Sequence, residues 1–133
     1  MAFRHLHECF GCGAANPASL GIVYTTTTDG AEARVRFGRH HQGPPGIVHG
    51  GLLATLVDEA MGTVPHDGRG VRVTSEMTVR YRRPTPIDTD LVCRAHINDA
   101  AARGFTVEAT IVASDEPDVV LVEGRATYVL LEG

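Results

Sequence analysis

The amino-acid sequence predicts an α+β fold in which a curved, six-stranded antiparallel sheet wraps around one long central helix. Three observations carry this expectation. Six stretches are rich in β-branched residues or alternate apolar and polar side chains with period two, whereas only residues 49–63 show helical periodicity. That single helix cannot cover both faces of a flat six-stranded sheet, so the sheet must curve around it. The chain of 133 residues suits one domain over 1–133, large enough to bury roughly 70% of its unfolded surface.

Taken in order, residues 1–19 are polar and irregular and read as an N-terminal arm. "GIVYTTTT" (21–28) and "AEARVRFG" (31–38) read as strands, the second with Ala33, Val35 and Phe37 on one face. Asp29-Gly30 between them signals a hairpin, with glycine accepting a positive φ. Gly43, Pro44, Pro45 and Gly46 forbid regular structure over 39–48, and the helix follows. After the glycine-rich exit "HDGRG" (66–70), "VRVTSEMTVRYRR" (71–83) alternates, with Val73, Met77, Val79 and Tyr81 against Thr74, Glu76, Thr78 and Arg80. "DLVCRAHI" (90–97), "FTVEATIVA" (105–113) and "VVLVEGRATYVLL" (119–131) continue the pattern, separated by Asn98-Asp99, Gly104 and Asp115–Asp118. The element order is β-β-α-β-β-β-β.

A net charge of -4 gives no electrostatic footprint for nucleic acid or an anionic membrane. No apolar run approaches the ~20 residues of a spanning helix. "MAFRHLHECF" has no continuous apolar segment of the signal-peptide kind, and three cysteines suit free thiols, so a cytoplasmic location is expected.

On a helical wheel, Leu52, Leu53, Leu56, Val57, Ala60, Met61 and Val64 form one apolar sector. The opposite sector holds Gly51, Ala54, Thr55, Asp58 and Gly62, nearly all small and without lysine, arginine or glutamine. Small side chains admit another backbone, so a second element is expected there, with Asp58 held against protein and suited to accept a proton near neutrality. Glu59, about 100° away, reads as a rim residue. At the helix start, Gly50 and Gly51 leave first-turn N–H groups uncovered at the positive end of the helix dipole, an arrangement suited to an oxyanion. Asp58 lies roughly 13 Å along the helix from His49. It cannot serve the N-terminus of its own helix, so a site needing both parts draws them from two copies of the chain.

The run "QGPPGIVHGGLLATLVDEAMG" (42–62) resembles the signature of hotdog-fold acyl-CoA thioesterases of the PaaI-like group, with an acidic residue nine positions after the histidine of His-Gly-Gly. "CFGCGAANPASLGI" (9–22) is similar to that group's opening, with one extra residue, and "VTSEMTVRYRRPTP" (73–86) to its post-helix strand. The resemblance implies a hotdog fold, a homodimer that often pairs into a tetramer, and hydrolysis of an acyl-CoA to a carboxylic acid and coenzyme A. It implies Asp58 as general base or nucleophile and the Gly50 N–H as the donor to the thioester carbonyl, with Gly51 beside it. It further implies Thr74 orienting water or carboxylate and His49 supporting the site's opening. Gln42, seven residues before His49, matches an orienting amide, with Gly43 in the six-before position. Arg80, Arg82 and Arg83 are candidates for the coenzyme A phosphates. No cofactor and no metal is expected, coenzyme A being part of the substrate.

Other readings carry less. His5, His7, Cys9 and Cys12 suggest a Cys2His2 zinc set, but four ligands crowd into eight residues, whereas zinc fingers space their pairs around a folded loop or helix. Cys93 reads as a small buried apolar residue. A non-catalytic acyl-CoA-binding module is the alternative function, disfavoured by the presence of the acidic residue. A hotdog hydratase or dehydratase would need a different His/Asp arrangement.

Overall fold

The alternating stretches form six strands and the periodic stretch one helix in a computed structural model that describes residues 7–65, 71–101 and 104–131. In chain order these are β1 (Val23–Thr26), β2 (Gly30–Arg36), α1 (Gly50–Gly62), β3 (Val71–Tyr81), β4 (Asp90–Ala101), β5 (Gly104–Ala113) and β6 (Glu116–Leu131). All neighbours pair antiparallel, in the order β1-β2-β4-β5-β6-β3. The helix packs on β2, β3, β4, β5 and β6, so the sheet curves round it. This is the hotdog arrangement that the resemblance implies.

Small residues on the inner face of the sheet make that wrap possible. Ala33, Ala95, Ala109 and Ala126 are buried beneath the helix residues Leu53, Leu56, Val57, Ala60 and Met61. At Gly124 a Cβ would overlap the Val57 side chain, so only glycine lets α1 settle this close to β6. Cys93 is fully buried in this layer, as expected, and burial pushes its thiol up to about 12.

Four local expectations are corrected. Gly30 does not adopt positive φ; it opens β2, and its bare Cα is needed because a Cβ would lie 2.9 Å from the Ala95 carbonyl oxygen. Asn98-Asp99 is not a turn but a register shift inside β4, between Ile97 and Asp99. β6 begins at Glu116, so most of the expected 115–118 turn is strand. Glu59 is not on the rim but only 7% exposed, under a folded N-terminal arm. The arm closes through Gly13 N–H to Cys9 O, Leu20 N–H to Phe10 O and Ile22 N–H to Gly11 O. The "HDGRG" exit lies outside the described residues.

A bulge in β3 positions the rest. The register with β6 shifts between Thr74 and Glu76, which leaves Ser75 as an extra residue whose hydroxyl donates to Thr127 O at 3.0 Å. The strand's phase inverts there. Thr74 and Tyr81 therefore both reach the helix, although simple alternation sets them on opposite faces.

Candidate functional site

Apart from the arginines, the residues singled out in the sequence fall into two clusters at different levels of α1. The first surrounds Asp58, on the exposed face of the helix in this chain. Thr74 Oγ1 donates to Asp58 Oδ1 at 2.9 Å, and the Tyr128 hydroxyl donates to the same oxygen at 3.2 Å. The register explains the meeting: Thr74 on β3 is paired directly with Tyr128 on β6, and the two hydroxyls flank one carboxylate oxygen. Among the described residues the hydrogen bonds to this carboxylate fall on Oδ1, and none falls on Oδ2.

Tyr128 was not legible as a site residue. It continues the buried alternation of Val122, Gly124 and Ala126 and reads as core. Its ring is core, only 2% exposed and stacked on Phe105 with centroids 5.3 Å apart. Its hydroxyl is the polar tip of that inward row. Burial first, and then the Asp58 carboxylate, push the Tyr128 hydroxyl well above its ordinary value, so it stays protonated as a donor. Tyr128→Phe keeps the stack and loses the donor. The expected cost is about 1 kcal/mol, read as a lower urea midpoint with an unchanged slope.

The second cluster is built at the helix N-terminus by the loop that the prolines and glycines shape. Gly43 N–H donates to Ile47 O and His49 N–H to His41 O, a short return that delivers the chain to the helix. His49 is the N-cap: its Nδ1 accepts from Gly51 N–H at 3.0 Å. The expectation that both glycines present bare N–H groups is thus corrected, because the imidazole occupies that of Gly51. The Gly50 N–H has no hydrogen-bond partner among the described residues, and Tyr81 donates its hydroxyl to Gly50 O at 2.8 Å. A Cβ at Gly50 would meet the Tyr81 ring no closer than 3.5 Å, so this chain alone does not demand glycine there. Gln42 sits in the same loop, but its Oε1 accepts from Gly46 N–H at 2.9 Å and braces the turn. Gly43 packs against the His49 backbone.

The arginines expected for the coenzyme A phosphates lie outside both clusters. Arg80 faces away from the helix into a groove of about 600 Å³ on the outer face of the sheet, with Arg94, His96, Glu108 and Arg125. Arg82 is paired with Glu123 at 2.9 Å. Arg83 donates its backbone N–H to Leu121 O and has no ion-pair partner among the described residues. The bulge at Ser75 sets the outward phase of Arg80.

The distance between the clusters decides what they can do together. Eight residues of helix separate Gly50 from Asp58, a rise of about 12 Å. A carboxylate and a bare helix N-terminus that far apart cannot grip the same carbonyl carbon from one chain. Chemically, a carboxylate can accept a proton and a bare helix N–H can hold an oxyanion.

Residues 45–120 match the family described as the thioesterase superfamily. The chain is 31% identical over 117 residues to the mouse acyl-coenzyme A thioesterase THEM4, covering 85% of this chain and 50% of that protein. It thus spans about half the length of the curated relatives it matches. Among solved structures, a thioesterase superfamily protein superposes with a TM-score of 0.82 at 27% identity, over 92% of this chain and 60% of that one. The Escherichia coli PaaI protein from the phenylacetic acid degradation operon superposes with a TM-score of 0.79 at 19% identity, over 90% of this chain and 88% of that one, a likeness of fold.

Proposed function

Since this chain belongs to the thioesterase superfamily, we propose that it hydrolyses an acyl-CoA thioester in a site shared between two copies of itself. The observation that carries the reading is the pair of half-sites: a carboxylate fixed by two hydroxyls, and a bare amide at the start of the same helix about 12 Å away. A two-fold dimer that sets the helices antiparallel brings Asp58 of one copy to Gly50 of the other, and completes both sites at once. The small face of Gly51, Ala54 and Thr55 suits such an approach.

In this reading the thioester carbonyl accepts a hydrogen bond from the Gly50 N–H. Asp58 Oδ2 of the partner copy takes a proton from water as the water oxygen attacks the carbonyl carbon. The C–S bond then breaks, the electron pair leaves with sulfur, and the proton returns to the coenzyme A thiolate. Direct attack by Asp58 would instead form a mixed anhydride that water opens; the same groups serve both routes. Thr74 and Tyr128 act through Asp58 as positioning residues, and His49 and Tyr81 act through the helix start. Arg83 is our choice for the coenzyme A phosphates, because Arg82 is engaged by Glu123 and Arg80 faces the opposite side of the sheet. Pairing of dimers into tetramers and a reducing, cytoplasmic setting for the three unbridged cysteines complete the proposal.

The test is release of free thiol from a panel of aryl, medium-chain and long-chain acyl-CoAs, with sedimentation of the same preparation. Turnover of at least one class by a species of two or more subunits is expected. Tight acyl-CoA binding without thiol release would identify a binding module. A mass of one subunit at micromolar concentration, with full activity, would overturn the shared site.

A further inference from the structure

On the buried side of the helix, one residue beyond Asp58, lies a group of side chains that this chemistry does not use. Glu59 points beneath the arm, and its carboxylate oxygens lie 3.8 and 3.9 Å from Cys9 Sγ. One ligand atom from each of Cys9, Cys12 and Glu59 falls within 4.8 Å of the other two. We propose that Cys9, Cys12 and Glu59 bind one divalent, thiol-seeking metal ion of the zinc class, which fastens the N-terminal arm to helix α1.

The loop is shaped for this. Cys9-Phe-Gly-Cys-Gly closes through Gly13 N–H to Cys9 O at 2.8 Å, which turns both cysteines toward the helix. Two glycines in it make room for close approach, and Gly13, packed against backbone, is sterically required. A Cβ at Gly11 would sit 2.6 Å from Glu59 Oε2, and a Cβ at Gly13 would overlap the backbone of His7 and Cys9. Burial raises the pKa of Cys9, but the backbone N–H groups of Cys12 and Gly11 donate to its sulfur and hold the thiol below its ordinary value. Cys12 is pushed upward, first by burial and then by the neighbouring Glu59 carboxylate. A cation among the three replaces that repulsion with attraction and releases the thiol proton to solvent.

The spacing fits the ion. Tetrahedral zinc with Zn–S near 2.3 Å and Zn–O near 2.1 Å holds S and O about 3.6 Å apart, close to the Cys9–Glu59 separations. Two sulfurs and one carboxylate select zinc over magnesium or calcium, and a water completes the four. Both cysteines are partly exposed, which gives the ion a way in. The set differs from a Cys2His2 finger: His7 is exposed, His5 lies outside the described residues, and the third ligand comes from the helix fifty residues later.

The test uses the full chain expressed with zinc and purified in reductant without chelator. Elemental analysis is expected to give about one zinc per chain. Competition with a chromophoric chelator should show at least tenfold weaker zinc binding for Cys9→Ser, Cys12→Ser and Glu59→Gln. Cobalt substitution should add a thiolate-to-metal absorption band that Cys9→Ser removes. Under a tenth of an equivalent of zinc in the wild-type chain, a Cys9–Cys12 disulfide in its place, or Glu59→Gln binding as tightly as wild type would each overturn the site. None of these readouts depends on thioester hydrolysis, so the outcome is independent of the proposed activity.

Discussion

Asp58→Asn is expected to lower kcat for acyl-CoA hydrolysis by at least ~100-fold while leaving the fold and ligand affinity in place, in keeping with loss of a general base. The amide is nearly isosteric with the carboxylate, and its oxygen can still accept from Thr74 and from Tyr128. The substitution therefore removes the charge and the basic oxygen without disturbing the hydroxyls that hold them. The informative comparison is kcat against the affinity for a non-hydrolysable acyl-CoA analogue. A drop in kcat with unchanged affinity locates Asp58 in the chemical step. Wild-type turnover by Asp58→Asn sinks the mechanism, whichever of the two routes is considered.

Gly50→Pro should be the second severe variant, about 10²–10³-fold in kcat, because it deletes the one N–H assigned to the oxyanion. Proline is well tolerated at this place in a helix: Gly50 is the first helical residue, and its N–H makes no helical bond. The preceding residue, His49, already has φ -57° and ψ 130°, the extended conformation that proline asks of its neighbour. The chain should therefore fold. Gly50→Ala is the control, since it keeps the N–H and adds a methyl no closer than 3.5 Å to Tyr81. If proline and alanine lower kcat equally, the amide is not the oxyanion donor. Mixing Asp58→Asn and Gly50→Pro subunits offers a further readout. Half the dimers would be mixed, and each mixed dimer has one intact site, so recovery of about a quarter of wild-type activity is expected for a two-fold site.

Much of the architecture could be read from period and punctuation. The helix, the strand order along the chain and the two levels of α1 follow from apolar spacing and from the glycines and prolines around it. Position 58 stood out because a carboxylate among small residues needs a partner surface. What escaped were features that depend on pairing between distant strands. The bulge at Ser75 leaves no mark in composition, having neither glycine nor proline, yet it sets which face Thr74, Tyr81 and Arg80 occupy. Tyr128 was hidden because an inward tyrosine is ordinarily core, and its neighbour Asp58 is 70 residues away. Glu59 looked peripheral on the wheel, since a wheel cannot show an arm folding over it.

The placement of β3 at the end of the sheet has a consequence for how the chain acquires its site. Among the described strands its neighbour is β6, the last strand in the chain, so Thr74 and Tyr128 meet across 54 residues of sequence. Pairings that distant are slow, because the long loop must close before any contact rewards it. During synthesis the helix and the first five strands emerge before Tyr128, the second hydroxyl at Asp58. Thr74, on the strand just after the helix, can reach the carboxylate earlier, but the Tyr128 hydroxyl joins it only when the final strand zips onto β3. The hydroxyl pair at Asp58 is therefore completed by the C-terminal strand rather than by the helix that carries the acid.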